Sequence, residues 1–143
     1  MLISTKGRYA LRVLTDMAEH QTEGYVPLKE IAQRQEISEK YLESVVKSLV
    51  KDGVLVGLRG KGGGYRLSKA PDQVTVGSIL RLTEGTLSPV SCLEEGATPC
   101  AKMASCRTLN LWQGLDQVIY EYLESYTIAD LMRVEEQGND YII

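Results

Sequence analysis

The sequence predicts a mainly α fold, and three observations predict it. Apolar residues recur at helical spacing in successive segments, two of those segments are separated only by a tight turn, and one glycine-punctuated stretch near residue 60 breaks the helical period with short strand-like runs. At 143 residues, with 43% hydrophobic and 24% charged, the chain can form a compact domain with an appendage for self-association.

From Thr5 to His20, the residues Tyr9, Ala10, Val13, Leu14, Met17 and Ala18 line one helical face, with Ser4 or Thr5 available as N-cap. Pro27 opens a second, short helix, PLKEIAQRQ, with Leu28, Ile31 and Ala32 on one side. A turn at Glu36 and Ile37 leads to a third helix, where Ser38 is the expected N-cap and Leu42, Val45, Val46 and Leu49 point inward. Gly53 ends that helix. Two helices so joined match a helix-turn-helix unit. The runs VLVGL and GYRLSK then read as paired strands, completing a winged helix-turn-helix.

Thr75 caps a further helix that ends at Gly85, and residues 86–105 show no periodicity and are expected to form a loop. From about Arg107 a long amphipathic helix carries Leu111, Trp112, Leu115, Ile119, Tyr122, Leu123 and Tyr126. Thr127 and Asp130 resemble a capping box that opens a last helix, IADLMR. The long helix bears more apolar surface than a small winged domain can cover, so packing against a second copy, as a homodimer, is expected. Folding back onto the N-terminal domain is the rival arrangement. The expected division is a winged DNA-binding domain over 1–85, a cysteine-bearing loop over 86–106, and a dimerisation helix with its tail over 107–143.

No run of about 18 apolar residues is present, which argues against a membrane span. Lys6, Arg8 and Arg12 interrupt the apolar N-terminus as no secretory signal would, so the expected location is cytoplasmic. The formal net charge of −3 hides an asymmetry: residues 1–70 carry 12 Lys+Arg against 8 Asp+Glu (+4), and residues 71–143 carry 4 against 11 (−7). A basic N-terminal half suits a polyanion, from which the acidic half should be kept away.

The segment RGKGGG, residues 59–64, tests that inference. A nucleotide-phosphate cradle needs its glycines to lead from a strand into a helix, and here they lead into YRLSK, a strand-like run. A linker would not sit between two apolar runs that pair with each other. A hairpin tip remains, whose glycines allow positive φ and close approach while Arg59, Lys61 and Arg66 supply charge suited to a narrow DNA minor groove. On the third helix, the outward residues are Ser38, Glu39, Lys40, Tyr41, Glu43, Ser44 and Lys47. Short hydroxyls and carboxylates suit base edges, and lysines suit phosphates. Lys6, at the start of the first helix, joins them as a candidate contact to double-stranded operator DNA.

Three cysteines, Cys92, Cys100 and Cys106, are spaced C-x7-C-x5-C. An odd number argues against a disulfide framework. Soft thiolates select iron-sulfur clusters, zinc or copper, and a closed structural zinc site would want a fourth nearby Cys or His. The lone histidine, His20, is remote in sequence. A thiol-dependent enzyme finds no support, since no histidine and no oxyanion or cofactor motif accompanies the cysteines.

In STKGRYAL, PLKEIA, ISEKYLE and RGKGGGYRL, the chain resembles the IscR-like winged helix-turn-helix transcriptional regulators, with their CymR-like and NsrR-like relatives, over residues 1 to about 126. The resemblance implies a homodimeric repressor or activator that reads DNA at Ser38, Tyr41, Glu43 and Arg59. It also implies an iron-sulfur cluster, of the 2Fe-2S type with 4Fe-4S as the alternative, on Cys92, Cys100 and Cys106. CymR-like members that lack the cluster also lack these cysteines; the alternative readings are a CymR-like regulator controlled by a partner protein without a cluster, and a zinc-stabilised repressor. Two departures stand out: IscR-like proteins have a histidine ligand where this chain has Leu109, and NsrR-like proteins have an aspartate where it has Arg8. Glu43, Glu94, Glu95, Asn110, His20 or a small molecule are left as candidates for a fourth ligand.

Overall fold

The computed structural model describes residues 3–21, 24–98 and 100–132. Six helices and one hairpin follow in order: α1 (Thr5–His20), α2 (Leu28–Gln35), α3 (Glu39–Lys51), β1 (Leu55–Leu58), β2 (Gly64–Leu67), α4 (Val76–Glu84), α5 (Leu109–Glu124) and α6 (Ile128–Leu131). The mainly α winged helix-turn-helix expectation holds. α1, α2 and α3 enclose a core of Ala10, Val13, Leu14, Met17, Ile31, Leu42, Val45, Val46 and Leu49, the stripes whose periodicity marked these helices.

The turn between α2 and α3 is set by Glu36, the only non-glycine with positive φ (54°) among the described residues. Its N–H closes on the carbonyls of Ala32 and Gln33, which stops α2 and sends Ile37 into the core. A feature with no sequence signal reinforces the joint. Asp16 of α1 is only 2% exposed, and its carboxylate accepts hydrogen bonds from Arg34 Nε (3.0 Å) and Nη2 (2.7 Å) and from Gln35 Nε2 (2.9 Å), all on α2.

The hairpin pairs Leu55 with Leu67 and Leu58 with Gly64. Val26 adds an isolated antiparallel bridge, exchanging hydrogen bonds with Tyr65 in both directions (2.8 and 2.9 Å). Gly64, at φ 146°, is required there: a Cβ would collide with the Val26 carbonyl oxygen. The wing is thereby sewn to the segment that precedes α2.

Several expected boundaries shift. Pro27 is the N-cap of α2 rather than its first helical residue. The loop expected over 86–105 contains 3-10 turns at Ser91–Leu93 and Met103–Ser105. α5 starts at Leu109, and Tyr126 falls beyond its end at Glu124. α6 stops at Leu131, and Arg133 of the expected last helix lies outside the described residues. The Thr127–Asp130 capping box is present in both directions, Thr127 N–H to Asp130 Oδ2 at 2.8 Å and Asp130 N–H to Thr127 Oγ1 at 3.2 Å. It directs Ile128, fully buried, into the same core as α1, with Ile128 N–H on the Val74 carbonyl (2.9 Å). After α5 the chain thus returns to the first eighty-five residues.

Candidate nucleic-acid interface

α3 is amphipathic because its apolar residues are spent on the core, which leaves Glu39, Lys40, Tyr41, Glu43, Ser44 and Lys47 exposed on the other side. Lys40, Ser44 and Lys47 follow the i, i+4, i+7 row of one face, with Glu39 and Glu43 beside them. Ser38 Oγ is the cap of the helix, accepting from Tyr41 N–H at 3.2 Å, so its remaining capacity outward is as a donor.

A groove of about 820 Å³ runs between α3 and the wing, lined on one wall by Glu43, Lys47 and Val50 and on the other by Leu58 and Arg59. Arg59 and Lys61 are both exposed on the hairpin tip, which Gly60 (φ 91°) and Gly62 (φ 78°) allow to turn tightly. Gly63 has no room for a side chain: its Cβ would run into the carbonyl oxygen of Leu58. Helix face and tip therefore flank one open groove with cations on both walls, Lys47 on one and Arg59 on the other, which gives it an affinity for anions.

Two predicted residues are placed less freely. Lys6 is half-buried, with Nζ 3.4 Å from Ser48 Oγ of α3, so its charge is drawn toward the helix rather than projected into solvent. Tyr41, 38% exposed, meets the ring of Tyr9 edge-on at 5.5 Å, and the Arg12 guanidinium lies 5.3 Å from the same Tyr9 ring. The groove also enlists residues that sequence reasoning missed. Lys29 of α2 and the apolar Val50 and Leu58 line it. Val50 and Leu58 are exposed there, 37% and 48%, and only the packing of the wing beside α3 brings them to one groove.

The three cysteines lie on the loop between α4 and α5. Cys92 is half-buried, and Cys100 and Cys106 are exposed. Among the described residues no three of His, Cys, Asp and Glu are gathered closely enough to hold a metal ion, so the convergence of thiols expected from the sequence is not seen. Glu43 and His20 belong instead to the winged part of the molecule: Glu43 lines the α3–wing groove, and His20 Nδ1 sits 2.8 Å from the Asp16 carbonyl oxygen. The donor set nevertheless fits a soft metal or cluster. Cys106 is held below the ordinary thiol range by hydrogen bonding from the Thr108 side chain, then from the backbone of Thr108 and Leu109 at the start of α5. Among the described residues of the loop, Ala97 N–H bonds the Glu94 carbonyl and Met103 N–H the Cys100 carbonyl, both at 3.0 Å.

α5 presents two faces. Ile119 and Leu123 pack on a small cluster of Val76, Leu80 and Leu87. A second stripe, Leu111 (62% exposed), Leu115 (38%), Val118 (61%) and Tyr122 (61%), is bare along the helix. No residue of α5 is buried. The joint with α4 is closed by an ion pair between Arg81 and Glu124, with Arg81 also 5.3 Å from the Tyr120 ring centroid.

Residues 3–134 match the model of the Rrf2 family, described as iron-dependent transcriptional regulators. The chain is 40% identical over 133 residues to the protein Rrf2 of Nitratidesulfovibrio vulgaris, covering 93% of this chain and 88% of that one. It is 38% identical over 136 residues to the transcriptional regulator IscR of Erwinia tasmaniensis, covering 95% and 81%. Among solved structures it resembles CymR, the global cysteine regulator of B. subtilis, with a TM-score of 0.74, 40% identity and coverage of 92% and 95%. It also resembles IscR of T. potens, with a TM-score of 0.74, 34% identity and coverage of 100% and 93%.

Proposed function

Because this chain belongs to the Rrf2 family of transcriptional regulators, whose members are not enzymes, we propose that it is a homodimeric regulator that binds palindromic operator DNA in the cytoplasm and reports iron-sulfur status through its cysteine loop. The observation that carries the DNA reading is the single groove whose two walls are the exposed face of α3 and the basic hairpin. α3 enters the major groove. Glu43 and Ser44 address base edges, Ser38 donates from the cap, and Lys40 and Lys47 meet phosphates. Arg59 and Lys61 reach the adjoining minor groove. Homodimerisation is supported by the bare Leu111–Leu115–Val118–Tyr122 stripe.

Cys92, Cys100 and Cys106 are the residues that would hold the cluster, which when bound supplies redox and iron sensitivity. No histidine follows Cys106 in the place where IscR-like proteins have one, since that place is Leu109. Ordering of the loop alters the start of α5, and through the dimer it changes the spacing of two α3 helices that must match half-sites about 34 Å apart.

Footprinting on duplex DNA selected by the protein from genomic fragments tests the interface. Arg59→Ala weakens binding to every selected site, and Glu43→Ala changes the ranking of sites, each by about 1–3 kcal/mol. If neither variant alters the footprint, the reading surface lies elsewhere. Metal and sulfide analysis of anaerobically isolated protein tests the sensor. Iron and acid-labile sulfide with visible absorption, lost on Cys100→Ala, are expected. Zinc alone points to a structural metal site, and absence of metal points to control by a partner protein.

A further inference from the structure

We propose that Glu84 is a positioning residue that ties the cysteine-bearing loop to the DNA-reading helix; the inference rests on the reading of α3 and the wing as the DNA face. Glu84 is the last residue of α4, and Gly85 (φ 79°) begins the loop. Glu84 Oε1 accepts from both the backbone N–H (3.0 Å) and the hydroxyl (2.7 Å) of Ser4, the N-cap of α1, while Ser4 Oγ accepts from Gly7 N–H at 3.0 Å. The first turn of α1 has no acidic residue of its own. Glu84 supplies, from another element, the negative charge that a helix N-terminus favours. Gly7 is buried, and a methyl group there would strike Glu84 Oε1, so α1 and α4 meet at the closest approach that the carboxylate permits.

The same turn of α1 grips α3. Lys6 Nζ reaches Ser48 Oγ at 3.4 Å, and one turn later the Tyr9 ring meets Tyr41 at 5.5 Å. Tyr41 lies near the start of α3 and Ser48 near its end, so both ends of the reading helix are held from α1. The loop makes a second contact with α1 just past Gly85. Leu87 is buried with Val76 and Leu80, and Ile3 and Leu11 pack against that cluster. A shift at the root of the loop therefore bears on the first turn of α1 through Glu84 and Leu87, and α1 passes it to α3 through Lys6 and Tyr9. The groove wall bearing Glu43 and Lys47 then moves against the wall bearing Arg59. α2 is held to α1 farther along the helix, through Asp16 and Arg12, so a positioning role shows as a response in the first turn of α1 and in α3 that exceeds the response in α2 and the wing.

Backbone amide hydrogen exchange on the full chain, without DNA, tests it. Glu84→Ala is expected to raise exchange in the first turn of α1 and in α3 about tenfold, while α2 and residues 55–67 keep their native rates. Glu84→Gln, which retains the accepting oxygen but not the charge, restores most of the native pattern, and Ser4→Ala, which removes the hydroxyl arm together with the cap on Gly7 N–H, raises exchange in the same two regions. Carboxamidomethylation of the cysteines with iodoacetamide changes exchange in α3 of the native chain and leaves α3 of Glu84→Ala unaffected. Unchanged α3 exchange in Glu84→Ala, an equal rise in α2 and the wing, or the same response to alkylation in both chains overturns the proposal. Because no DNA is present, these results stand apart from the footprint: normal binding by Arg59→Ala would sink the DNA face and leave the tie intact.

Discussion

The joint between α1 and α2 depends heavily on one side chain, Asp16. It is the only buried charged residue among those described, and its carboxylate is satisfied by Arg34 and Gln35 across the joint between α1 and α2. Removing one partner of a buried pair leaves the other without compensation, a cost of about 3–5 kcal/mol when both are fully buried. Arg34 is 32% exposed and can turn to water, so Asp16→Ala is expected to lower unfolding stability by about 2–3 kcal/mol, read by urea denaturation. A loss below about 0.5 kcal/mol would mean that the pair is energetically idle. Hydrophobic spacing could not reveal Asp16, because periodicity counts apolar residues and a buried acid on the inner face looks like an interruption. Ser38, Thr75 and Thr127, by contrast, were legible, since a capping hydroxyl followed by helical spacing has a local cause and each does accept from the expected N–H.

At the scale of elements, the joint between α4 and α5 combines apolar packing with one ion pair. Burial alone would raise the carboxyl of Glu124, but hydrogen bonds from Arg81 and Thr75 and the charge of Arg81 together hold it below the ordinary carboxylate range. A folded-state value below the unfolded one means that the contribution is complete above about pH 4.3 and is lost as pH falls through the depressed value. Acid titration followed by fluorescence of Trp112, the single tryptophan and a residue of α5, is expected to show a transition below about pH 4. Glu124→Gln should flatten it; an unchanged transition would assign it to other carboxylates. The long helix itself was legible, but its division into a docked face and a bare face was not. Ile119 and Leu123 differ from Leu115 and Tyr122 only in where α4 happens to lie.

For the whole molecule, the decisive quantity is the apolar surface that one chain leaves uncovered. Leu111, Val118 and Tyr122 are each about three-fifths exposed on one stripe, and water contact with such side chains costs about 25 cal/mol per Å² relative to burial. Val118→Asp places a charge in the middle of that stripe. It is expected to convert a dimer into monomer in sedimentation equilibrium and to reduce operator affinity at least tenfold, since the two half-sites are then bound independently. A dimer that survives Val118→Asp would move the subunit interface off α5.

The local architecture was readable from the chain alone: three helices with a tight turn, a glycine-tipped basic hairpin, the capped helix that follows, and a late amphipathic helix. Each of these has a cause within a few residues, in hydrophobic period, cap or turn chemistry, so each could be read without neighbours. Packing between distant segments is what makes Glu84 fasten α1, turns Lys6 toward Ser48, brings Val50 and Leu58 to the groove and seats Ile128 in the core. Those outcomes depend on contacts between residues separated by tens of positions, and a one-dimensional pattern contains the residue types without their distances.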